Sequence, residues 1–253
     1  MADQLKSPSN WNGHRAALVI AHPGHEVLVH GWMEQAHPLV FVLTSGVDDA
    51  IATTAKIVAQ AGAQRSDMFG RCTDRGLRQA MMMGERDRFH AFVQELADVF
   101  LTESIDVVVG DAAEGLDPSH DLCRLLIDAA IELVEPIQPA IRNLEFSLRG
   151  TPARPGSYRQ LVAGDAWVRK FTSCRSYAEP IVEVQKMLED EGLDSLRVES
   201  LQAVTPWAIG RRHDVLYAGS PERPAGTVRF REHFLPVAGS LQRFVNGRLT
   251  PAA

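Results

Sequence analysis

Ala16-Ala17-Leu18-Val19-Ile20-Ala21-His22-Pro23-Gly24-His25-Glu26 is the stretch on which the fold turns. Six small or apolar residues run unbroken into a Pro-Gly pair flanked by histidines. A short continuous apolar run ended by Pro and Gly reads as a strand buried on both faces that closes in a tight turn. From Glu26 onward Val27, Leu28, Gly31, Trp32 and Ala36 fall at helical spacing. Two histidines three residues apart thus stand where a strand gives way to a helix. In an open α/β sheet, ligands bind at the carboxyl ends of the strands, and neutral imidazole is the commonest metal ligand. His22 and His25 are therefore half of a candidate metal site, although a lone His-x-x-His pair is as often a turn residue beside a surface one.

Working outward, residues 38–43 give a second buried strand, 51–63 an Ala-rich helix and 66–70 a short third strand. A helix is expected at 77–83, and another at 85–102, where Phe89, Phe92, Val93, Leu96, Val99 and Phe100 form one apolar stripe. Asp106-Val-Val-Val-Gly110 is the fourth strand. Strands alternating with helices of this length predict βαβ units: a Rossmann-like α/β fold, its mostly parallel sheet covered by helices on both faces. The fourth strand leads through Asp111 and Glu114 to Asp117-Pro118-Ser119-His120. Asp117 suits a helix N-cap and Pro118 the first helical position, and Leu122, Leu125, Leu126, Ala129, Ala130 and Leu133 supply the apolar face that follows. His120 then lies in a first helical turn beyond a strand's carboxyl end, as His25 does. If the first and fourth strands are neighbours at the switch point of the sheet, three histidines converge on one crevice.

The chain has 253 residues, 45% of them hydrophobic, enough to bury the core of one sizeable domain. Its 26 basic against 32 acidic residues give a net charge of -6, which argues against a nucleic-acid footprint. No run approaches the roughly 20 apolar residues of a membrane span, and the polar first 14 residues do not read as a signal peptide. Cys72, Cys123 and Cys174 are scattered and odd in number, so no disulfide framework is expected. A cytoplasmic protein acting on a small molecule is expected, and homo-oligomer formation stays open. Residues 1–253 read as a single domain, with 1–135 the metal-binding core. Residues 136–253 complete the sheet and the substrate wall: a strand at 141–148, a Pro/Gly loop at 150–156, helices at 165–177 and 179–191, a short element at 193–204 and the basic cluster Gly210-Arg211-Arg212-His213.

His22-Pro23-Gly24-His25-Glu26 resembles the His-Pro-Asp-Asp-Glu signature of the LmbE-like, or PIG-L-type, N-acetylglucosaminyl deacetylases. Asp117-Pro118-Ser119-His120 is similar to that family's second motif, His-Pro-Asp-His, and Thr44-Ser45-Gly46 to its Thr-x-Gly turn. The resemblance covers about the first 135 residues. It implies a zinc-dependent hydrolase that removes an acyl group, typically acetyl, from the nitrogen of an amino sugar or similar small molecule. Carried over by position, the zinc ligands are His22, His25 (in place of Asp) and His120; another divalent metal would also suit imidazole ligands.

The departures define the chemical question. The family's general base, the first Asp of the signature, is Gly24 here. Three neutral histidines leave a divalent ion with a charge of about +2 where a two-His-one-Asp set leaves about +1, which favours acidification of a bound water. Charge alone does not move a proton to the departing nitrogen. Asp111, with Glu114 in reserve, is the candidate for that task, since both are expected at the rim between the fourth strand and His120. Glu26 reads as an orienting or capping group, and Asp48 and Asp49 as weaker alternatives. The competing reading is a non-catalytic metal- or ligand-binding protein on the same fold, its base lost at Gly24.

Overall fold

In the computed structural model of the chain, the described residues are 11, 13–47, 49–115, 117–148, 157–179, 181–207 and 228–250, the side chains of 182, 183 and 191 excepted. Asp48, the 150–156 loop and the 210–213 basic cluster lie outside them.

β1 (Ala16–Ile20) is buried at every position and is central to the sheet. It pairs in parallel with β2 (Leu39–Thr44) on one side and β4 (Val107–Asp111) on the other. β3 (Gln64–Cys72) extends the sheet beyond β2, and β5 (Arg142–Phe146) extends it beyond β4, both in parallel. β7 (Val198–Ala203) then runs antiparallel to β5, and β6 (Tyr158–Leu161) antiparallel to β7. The order is β3-β2-β1-β4-β5-β7-β6, seven strands among the described residues. The chain leaves β1 toward β2 in one direction and leaves β4 toward β5 in the other. The switch point expected from the sequence is therefore the β1–β4 crevice. β3 is longer than the short strand read at 66–70, because its outer face is largely exposed and carries no apolar run to announce it.

Alternate side chains of the strands enter two cores. Ala17, Val19, Phe41, Leu43 and Val108 meet α3 (Asp74–Met83), α4 (Arg86–Thr102) and α5 (Pro118–Val134). On the other face, Leu18, Ile20, Val40, Val42, Val107 and Val109 meet α1 (His30–Ala36), α2 (Ala50–Gln60) and α7 (Val182–Glu191). This is the mostly parallel α/β sheet with helices on both faces read from the alternation of elements. α5 lies so close to β4 that a Cβ on Gly110 would stand 2.4 Å from Ile127 Cδ1 and 2.8 Å from the Val19 carbonyl oxygen. Glycine at 110 therefore sets the depth to which the His120 helix sinks into the sheet.

Two features of the remainder are new. The segment after His22 is first a 3-10 turn, His25–Val29, and becomes α1 only at His30. The change coincides with capture of the Gly31 and Trp32 N–H groups by the Glu199 carboxylate of β7, each at 2.8 Å. A π-helical turn at Phe230–Phe234 leads into α8 (Leu235–Leu249), whose Val237, Leu241 and Val245 enter the first core. No helix among the described residues is long and apolar enough to cross a membrane.

Candidate metal centre

β1 ends at Ile20, and the next residues turn back over the carboxyl end of the sheet. His22 and His25 come from this turn, and His120 from the first turn of α5, two elements brought together by the β1–β4 pairing. The ring centroids of His22 and His25 are 5.4 Å apart, and each is 4.7 Å from that of His120. The three histidines read from two separate motifs thus share one crevice.

Two of the rings are backed by carboxylates. His22 Nδ1 lies against Asp74, the first residue of α3, and 3.0 Å from Thr44 Oγ1. His25 Nδ1–H donates to Asp111 Oδ2 at 3.0 Å, and the same oxygen accepts the Ala21 N–H at 2.9 Å. A carboxylate behind an imidazole fixes its tautomer and ring orientation. Burial by itself would raise the Asp74 carboxyl, but the His22 ring, Thr44 and Arg78 together hold it below its ordinary value. His120 is depressed well below the usual histidine range, by burial first and then by the neighbouring His25, His22, Arg78 and Lys186. It is thus held as the neutral imidazole that binds metal.

Asp111 is fully buried beneath His25 and does not stand at the open rim where the sequence placed it. Glu114 accepts a hydrogen bond from Ser147 Oγ at 2.6 Å, toward the end of β5. Glu26 caps its own turn: Oε2 accepts the Gly24 N–H at 2.8 Å and Oε1 the Tyr177 hydroxyl proton, and burial raises its carboxyl above the ordinary range. The sequence reading missed the second role of Asp117. As expected of an N-cap, its Oδ1 accepts the Ser119 N–H at 2.7 Å, while Oδ2 pairs with Arg78 at 2.5 Å. In addition, ligand atoms of His22, Asp117 and His120 all lie within 4.8 Å of one another. It is the one such group of three or more His, Cys, Asp or Glu side chains among the described residues, and His25 is not part of it.

Gly24, where the deacetylase signature that the motif resembles has its first Asp, has φ +104°, and a Cβ there would lie 3.0–3.2 Å from three carbons of Ile181. Ile181 comes from the segment before α7, so an aliphatic side chain covers the place from which the base would project.

No protein-family profile and no curated protein matches the chain. Among solved structures, it is similar to the deacetylase of the A40926 pseudoaglycone, with a TM-score of 0.52 at 15% identity over 78% of this chain and 99% of that one. It also overlaps a triple mutant of a deacetylase of teicoplanin biosynthesis, with a TM-score of 0.49 at 14% identity over 84% of this chain and 94% of that one. At such identities the first likeness is one of fold, and it gives the α/β sheet described above a known counterpart.

Proposed function

We propose that the chain is a metal-dependent hydrolase that removes an acyl group from the nitrogen of an amino sugar or a similar small molecule. The observation that carries this reading is the meeting of His22, His120 and Asp117 at the carboxyl end of the β1–β4 crevice, with His25 beside them. Two imidazoles and a carboxylate suit zinc or another divalent first-row metal, and the depressed His120 is already in the ligating form. The group of side chains therefore fits the ion that the sequence motifs imply. When bound, such an ion supplies Lewis-acid polarisation of a carbonyl and lowers the pKa of water. The chain's own contribution is orientation: Asp74 and Thr44 fix His22, and Asp111 fixes His25. The fold shared with a pseudoaglycone deacetylase is in keeping with an acylated amine as substrate.

The covering of Gly24 by Ile181 favours a second reading, a protein that binds metal without hydrolysis. Metal content and turnover on a panel of N-acylated amino sugars separate the two. The hydrolase reading expects about one divalent ion per chain and release of free amine that stops on chelation and returns with metal. Bound metal with no amine released from any member of the panel would establish the second reading.

A further inference from the structure

We propose that a carboxylate and an imidazole have exchanged places in this site: Asp117 is the third metal ligand, and His25, oriented by Asp111, is the general acid–base. The proposal rests on the hydrolase reading for its chemistry, but its metal half stands on geometry alone.

Three observations lead to it. Asp117 and not His25 joins His22 and His120 in the one compact donor cluster among the described residues. Its two oxygens already accept from Ser119 N–H and Arg78, one contact each. A carboxylate has about four lone-pair sites, so capacity remains for an ion. The second observation is the pairing of His25 with Asp111. Nδ1–H is committed to a fully buried carboxylate that a backbone N–H also holds, which fixes the ring's orientation and leaves Nε2 as the nitrogen that exchanges a proton. An imidazole held by a carboxylate behind it is the arrangement that serves as a proton carrier in hydrolases. The third is Gly24, where a positive φ and the close approach of Ile181 disfavour any side chain, a carboxylate base included. Position 25 then supplies a base of a different chemical kind, one residue further along the same turn.

The reaction balances with one water. His25 Nε2 takes a proton from water as its oxygen bonds to the acyl carbon. The same proton passes to the amide nitrogen as the carbon–nitrogen bond breaks, leaving a free amine and a carboxylic acid. Asp111, fully buried behind His25, acts as a positioning residue through it.

The test compares three single variants of the full chain, reading zinc affinity by chelator competition and the visible spectrum of the cobalt-loaded protein. Asp117→Asn keeps a good helix N-cap and removes only the charge; zinc affinity is expected to fall more than 100-fold. His25→Asn keeps an N–H near Nδ1 for Asp111 and removes Nε2. It should retain wild-type zinc affinity and an unchanged cobalt spectrum, while turnover falls about 100- to 10,000-fold. Asp111→Asn should likewise leave zinc affinity unchanged and lower kcat without raising KM. Loss of zinc from His25→Asn, or a 10- to 100-fold weakening in Asp111→Asn of the size seen when a ligand loses its supporting carboxylate, would make His25 a ligand and overturn the exchange. Full zinc affinity in Asp117→Asn would overturn it equally. If the zinc results hold but wild-type protein releases no amine, the hydrolase reading and the base role fall together, and the ligand assignment stands.

Discussion

Each histidine of the first motif is answered by an acid from another part of the chain: Asp74 for His22 and Asp111 for His25. Two carboxylates directly behind the rings offset the excess positive charge that three neutral histidines would leave on an ion. The histidines were legible because each lies within a local motif. Asp74 was not, since it reaches His22 only once β3 has carried the chain across the sheet. The sequence marks Asp117 as a cap, which it is, and a cap gives no sign of which other side chains will gather around it. Gly24 gives a prediction at this scale. Its φ of +104° is outside the range that side chains other than glycine tolerate, and Ile181 fills the adjoining space. Gly24→Asp, which introduces the residue of the signature that the motif resembles, is expected to lose about 1–3 kcal/mol of stability and to gain no turnover. Denaturant unfolding and an amine-release assay check it, and higher turnover at unchanged stability would show that the turn accepts a side chain.

Among the elements, the 3-10 turn that bears His25 is held by distant parts of the chain, α6 and β7. Lys170 of α6 (Gly164–Cys174) donates to the Leu28 carbonyl at 3.1 Å and to Glu199 at 2.8 Å, and Glu199 caps α1. Both side chains are almost wholly buried. Removing one partner of a buried ion pair strands the other charge, a change of about 3–5 kcal/mol. Lys170→Met should therefore be destabilised by about that amount in urea unfolding, and the double variant Lys170→Met with Glu199→Gln should recover part of the loss. An unchanged single variant would show the pair to be dispensable. Nothing in the sequence around Lys170 or Glu199 announces this pairing. Neither residue has a local partner, and a single chain does not display contacts 142 or 168 residues apart. By contrast, α4 and α5 were legible in advance because their apolar stripes are local.

For the molecule as a whole, the parallel half of the sheet follows from the alternation of strands and helices, whereas the antiparallel insertion of β7 between β5 and β6 does not. Both cores draw on residues from either side of position 135: Val237 and Leu241 pack in the first, Val184, Met187 and Leu201 in the second. Unfolding is therefore expected to be a single transition, with tryptophan emission and far-ultraviolet dichroism changing together in urea. Trp11 and Trp32 report on one part and Trp167 and Trp207 on the other, so an early separate step in emission would reveal two units. The cap on α1 also has a consequence for the order in which the protein is made. The N–H groups of Gly31 and Trp32 leave the ribosome long before Glu199, at about 5–20 residues per second, so the turn carrying His25 is among the first segments synthesised and among the last to be fixed. A newly made chain can pair β1 with β2 early, but the turn that bears His25 gains its Glu199 contacts only after β7 has been placed beside β5.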